Sequence, residues 1–116
     1  VSRRSTPQTL GGALANRRRV DFARIAAAAL RAADRVVLAL LPDGHREGSE
    51  WVARNPLRND RRPGSFKVNL VTGKWGDFAL GTRGKDLISL AAYCTGVGQR
   101  EAAVRLADAL GVDPFE

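Results

Sequence analysis

Residues Phe66-Lys67-Val68-Asn69-Leu70 alternate apolar and polar side chains, and after Val71-Thr72-Gly73-Lys74 the chain resumes with Trp75. Successive side chains of a strand point to opposite faces. This period of two therefore predicts a half-buried strand, with Phe66, Val68 and Leu70 on one face and Lys67 and Asn69 on the other. The residues between read as the turn of a hairpin, with 75–79 as its returning strand and Trp75 and Phe78 as its apolar side chains. A two-stranded hairpin is marginal in water, so its apolar face has to be covered by the rest of the chain.

The flanking segments supply that cover. Residues 50–54 alternate too, with Trp51 and Ala53 on one side, and predict a third strand. Residues 21–41 predict one helix: Asp21 is an N-cap ahead of Phe22, 26–29 is an alanine run, and Ile25, Ala29, Ala32, Val36 and Leu40 recur near a 3.6 period. Pro42-Asp43-Gly44 stops it. Downstream, Asp86 caps a helix with Leu87, Leu90, Ala91 and Cys94 on one face, ended by Gly96 and Gly98. Gln99 opens another helix, with Ala103, Leu106, Ala107 and Leu110 inward and Gly111 at its end. The expected fold is α+β: an N-terminal helix, a small three-stranded antiparallel sheet and two C-terminal antiparallel helices on one face of it. A chain of 116 residues, 44% hydrophobic, holds one such domain, assigned to 21–116. Residues 1–20 offer little to bury and read as a basic flexible arm, either a plain leader or an arm that lies along a phosphate backbone.

Charge points to a partner. Nineteen Lys and Arg face twelve Asp and Glu, a net +7, and the excess sits in residues 1–20 and 45–85, whereas 86–116 is acidic. Such an excess fits an anionic partner, and Arg forks onto phosphate oxygens. The candidate nucleic-acid-binding residues are Arg54, Arg58, Arg61 and Arg62 in one loop, Lys67 and Asn69 on the outer face of the hairpin strand, Lys74 at the hairpin tip, and Arg83 and Lys85 ahead of a helix N-terminus, which itself favours an anion. The competing reading pairs the loop arginines with Asp60 and Asp77. Phe66 and Phe78 are assigned to the core. Trp51 and Trp75 are open between core and stacking platform for unpaired bases.

Several classes are excluded. Cys94 and His45 are the only cysteine and histidine, too few for a four-ligand structural zinc site or a disulfide framework, so a reducing cytoplasm is the expected compartment. No apolar run approaches the roughly 20 residues of a membrane span, and the N-terminus carries no secretory pattern. Ser65 and Ser89 have no evident base, and no glycine-rich phosphate loop or metal-ligand cluster is present. A non-enzyme with no cofactor is expected.

Residues 55–66, Asn-Pro-Leu-Arg-Asn-Asp-Arg-Arg-Pro-Gly-Ser-Phe, are followed by Gly84-Lys85-Asp86-Leu87-Ile88-Ser89-Leu90 and by Glu101-Ala102-Ala103-Val104-Arg105-Leu106-Ala107. In order and spacing, from about residue 48 to 112, these resemble the N-terminal zinc-ribbon domain of DNA primases and their relatives on phages, plasmids and other mobile genetic elements. Where that family has its first Cys and His, this chain has Asn55 and Arg58. Where it has a Cys-Phe-Gly-Cys knuckle, this chain has Phe78-Ala79-Leu80-Gly81. The resemblance implies a zinc-free relative, with Trp75 and Phe78 as apolar replacements for the metal. It also implies a non-catalytic module that binds single-stranded DNA template beside a primase catalytic domain or a replicative helicase. The alternative is a protein-interaction adaptor that docks on a replication helicase or polymerase through its acidic C-terminal helices.

Overall fold

The structure, a computed structural model, describes residues 18–57 and 64–116. Arg58, Arg61 and Arg62, and residues 1–17 of the expected arm, lie outside the described residues.

The N-terminal helical stretch is two helices rather than one: α1 (Phe22–Arg31) and α2 (Ala33–Leu40). Asp21 caps α1 by accepting the Arg24 N–H at 3.1 Å. The interruption falls at Ala32, whose N–H donates at 3.0 Å to the carbonyl of Ala29, only three residues back. A turn tightened at Ala32, beside Ala33 and among good helix formers, leaves no trace in residue type.

The sheet has five strands rather than the expected three. β1 (His45–Glu47), β2 (Glu50–Ala53), β3 (Phe66–Asn69), β4 (Trp75–Asp77) and β5 (Thr82–Gly84) form an antiparallel meander in chain order. The two unexpected strands are the outermost. His45-Arg46-Glu47 and Thr82-Arg83-Gly84 contain no apolar residue, so no alternation announces them. Helices lie at both ends of the described region, α3 (Leu87–Thr95) and α4 (Gln99–Leu110) following the sheet.

Register sorts the side chains into two faces. Trp51, Val68, Trp75 and Gly84 form one row and Ala53, Phe66, Asp77 and Thr82 the next. From these rows Ala53, Phe66, Val68 and Trp75 enter the core, where they join Ile25 and Val37 of the first two helices and Leu87, Ile88 and Leu90 of α3. Sheet and α3 meet at an aromatic trio. The Phe66 and Trp75 rings stack at 5.6 Å, and Tyr93 lies 6.0 Å from Phe66 and 5.1 Å from Trp75. Gly84 makes this possible, because a Cβ there would stand 2.3 Å from Trp75 Nε1. The intervening row, His45, Val52, Lys67, Gly76 and Arg83, belongs to the opposite face.

The described ends of the chain pair with each other. Val20 and Phe115 form a β-bridge, the Asp21 N–H donates to the Pro114 carbonyl at 2.8 Å, and the Glu116 N–H donates to the Arg19 carbonyl at 2.9 Å. The Arg18 guanidinium lies 4.6 Å from the centre of the Phe115 ring. Residues 18–20, the last of the expected arm, are thus tied into the fold. Among the described residues no helix is long and apolar enough to cross a membrane.

Candidate nucleic-acid interface

The face of the sheet turned away from the helices carries the cations. β3 places Lys67 there by alternation with the buried Phe66 and Val68. Antiparallel pairing then sets Gly76 opposite Lys67 and Arg83 opposite Gly76. Two basic side chains are thereby separated by a residue with no side chain. The result is an open groove of about 470 Å³, whose lining includes Lys67, Lys74, Gly76, Phe78 and Arg83. Lys74 and Arg83 are exposed and Lys67 is half-buried. The opposite flank is acidic: Glu50 also lines the groove, beside its register partner Asn69, and Glu47 pairs with Glu50 on β1. The face is therefore polarised, positive over β3–β5 and negative over β1–β2.

Other sequence-predicted residues fall elsewhere. Asn69 reaches the groove, but its Oδ1 accepts the N–H groups of Val71 at 2.8 Å and Thr72 at 3.0 Å, so this oxygen shapes the hairpin turn. Arg54 is exposed just after β2, and Lys85 is exposed between β5 and α3. The α3 N-terminus is occupied by the chain's own carboxylate: Asp86 accepts the Ser89 N–H at 2.8 Å and forms a capping box with it. The anion site expected there is filled.

The aromatics are redistributed. Trp75 is only 6% exposed and donates from Nε1 to Ser89 Oγ at 3.0 Å, so its ring is core and offers no face to a base. Trp51 donates from Nε1 to the Leu41 carbonyl at 3.0 Å and packs partly buried against the core. Phe78, expected inside, is 73% exposed. The reason is parity: Trp75 and Asp77 share the inner face of β4, so the residue after Asp77 points outward. Its ring lies 5.8 Å from Lys67 Nζ.

Phe78 therefore does not replace the metal of the resembled ribbon. Behind Phe78, at the end of β4, the structure has a polar clamp. Asn55, 1% exposed, donates from Nδ2 to Asp77 Oδ2 at 2.7 Å and to the Tyr93 hydroxyl at 2.9 Å, while its Oδ1 accepts the Leu57 N–H at 2.8 Å. Asp77, equally buried, accepts the Ala79 N–H at 2.9 Å, and its carbonyl accepts the Gly81 N–H at 2.8 Å. Sequence reasoning missed this clamp. One signal was available, since Asp77 sits two residues after Trp75 and must share its face. Among the described residues no three His, Cys, Asp or Glu side chains gather as a metal site would need. Cys94 lies half-buried on α3, and burial pushes its thiol up to about 11. Compared with protein-family models and with curated proteins the chain matches none, so the interface is read from its own side chains.

Proposed function

We propose that this chain is a non-catalytic nucleic-acid-binding module of a primase-like replication protein, working in the cytoplasm on single-stranded DNA template. The observation that carries the reading is the convergence of Lys67, Lys74 and Arg83 on one open groove of the sheet. Phosphate contacts by such cations supply most of a sequence-independent affinity, and each one released from its counterions steepens the salt dependence. Arg54 and Lys85 are further exposed cations, and Arg58, Arg61 and Arg62 belong to the proposed site on the sequence alone. Primer synthesis would belong to a separate catalytic domain.

Fluorescence anisotropy of a labelled single strand, titrated across a salt series with chelator present, tests this. Saturable binding with a log–log slope of about −3 to −4 is expected for four to six phosphates. The slope should shrink when Lys67 and Arg83, or Arg61 and Arg62, become Ala. Absence of binding at low salt overturns the reading.

One observation favours the adaptor as a second reading. An apolar groove of about 320 Å³ runs between α2, α3 and α4, its lining including Val36, Leu40, Leu106 and Leu110, with Arg35 and Arg105 beside them. It suits an apolar helix better than a strand of nucleic acid. Association with a replication helicase or polymerase that survives high salt would support it.

A further inference from the structure

Phe78 is the exposed aromatic side chain of the groove, and its position is fixed from three sides. Its own N–H donates to the Ser65 carbonyl at 2.9 Å. On its C-terminal side, the Asp77 carboxylate and carbonyl hold the N–H groups of Ala79 and Gly81. On its N-terminal side, Asp77 is anchored by Asn55 in the interior. The ring stands in water by construction, with Lys67 Nζ at 5.8 Å and Arg83 across Gly76 on the same groove. A large apolar ring exposed on a held turn, with one cation beside it and a second on the same groove, has the composition of a single-strand platform: base on ring, phosphates on cations.

We propose that Phe78 stacks one unpaired base, with Lys67 and Arg83 taking the flanking phosphates, so that the groove over Gly76 selects single-stranded over duplex nucleic acid. The proposal rests on the nucleic-acid reading above and adds to it the source of selectivity. Cations alone bind any phosphate backbone. A ring needs a free π-face, which an unpaired base offers and a base inside a duplex does not. Every base has such a face, so the platform tolerates any sequence. The bare Gly76 leaves room for the base edge; a side chain there would crowd the Thr82 carbonyl, 3.2 Å from its Cβ, and narrow the groove.

The test compares wild type, Phe78→Ala and Phe78→Trp on a labelled oligothymidylate and on a duplex of equal length, across salt. Because the ring is exposed, Phe78→Ala should keep the wild-type circular dichroism and melting temperature. Its single-strand affinity should fall by roughly 5- to 100-fold with an unchanged salt slope, and its duplex affinity should stay the same. Phe78→Trp should retain single-strand affinity, with tryptophan emission quenched on binding beyond any change in wild type. If wild type binds the single strand and Phe78→Ala binds it equally well, the stacking proposal falls and the electrostatic reading stands. If Phe78→Ala weakens single strand and duplex alike, the selectivity falls. If wild type binds no strand at low salt, both readings fall together.

Discussion

The Asn55 amide donates to the Asp77 carboxylate across 2.7 Å, joining the segment just after β2 to the last residue of β4. Twenty-two residues apart in the chain, the two form a buried cross-link. Both residues are 1% exposed, so removing either takes a hydrogen bond from a polar partner in the interior. Asn55→Ala and Asp77→Ala should each cost about 1–3 kcal/mol. The double variant should cost less than their sum, and urea denaturation in a double-mutant cycle reads the difference.

Held by the side chains of Asn55, Asp77 and Tyr93, this corner of the fold should be indifferent to chelation. The melting temperature with and without a strong chelator is expected to coincide. A drop on chelation would mean that a metal binds after all.

Gly84 lets the Trp75 indole lie flat under β5. A Cβ at this position would stand 2.3 Å from Trp75 Nε1 and 2.6 Å from Ser89 Oγ. Gly84→Ala should therefore destabilise by about 1–3 kcal/mol, the usual range for overpacking. Trp75 loses its bond to Ser89 in the process, and its emission should move to longer wavelength. The companion change Phe66→Ala, which empties the centre of the aromatic trio, should cost about 3–5 kcal/mol.

Two acids line the groove, Glu50 on its flank and the buried Asp77. Glu50→Gln removes its repulsion of phosphate without changing shape, and single-strand affinity should rise by about two- to threefold, an effect of the size expected for one exposed charge. Loss of affinity would show that Glu50 contacts the ligand.

Burial disfavours the Cys94 thiolate, so the folded thiol titrates at about 11 against 9.0 for an ordinary one. Alkylation by iodoacetamide at pH 8 should be much slower than for a free thiol. The sign for stability follows from linkage. Below pH 9 both states are protonated and stability is unaffected. Between 9 and 11 the unfolded chain releases a proton that the folded chain keeps, so stability falls. Cys94→Ala should lack this part of the alkaline loss, seen by comparing melting curves of the two proteins.

Phe66, Val68 and Lys67 were legible because a half-buried strand writes its two faces into alternate residues. The faces of α3 and α4 were legible for the same reason at a longer period. β1 and β5 were not: at three residues each and without an apolar side chain, they exist because their backbones complete the ladder of a neighbour. The groove inherits this difficulty. Lys67 announces its face, but Arg83 joins it only through the register of β5. Phe78 was misplaced by counting apolar residues instead of faces, since side chains three apart on a strand point oppositely. Parity with Trp75 could have turned Asp77 inward, but its pairing with Asn55, twenty-two residues away, has no local pattern to reveal it.

The pairing of Val20 with Phe115 brings entry and exit of the folded chain to one point. A unit whose two ends meet can be inserted into a surface loop of another protein without spreading that loop apart. Whatever chain enters at Val20 and leaves at Phe115 does so side by side.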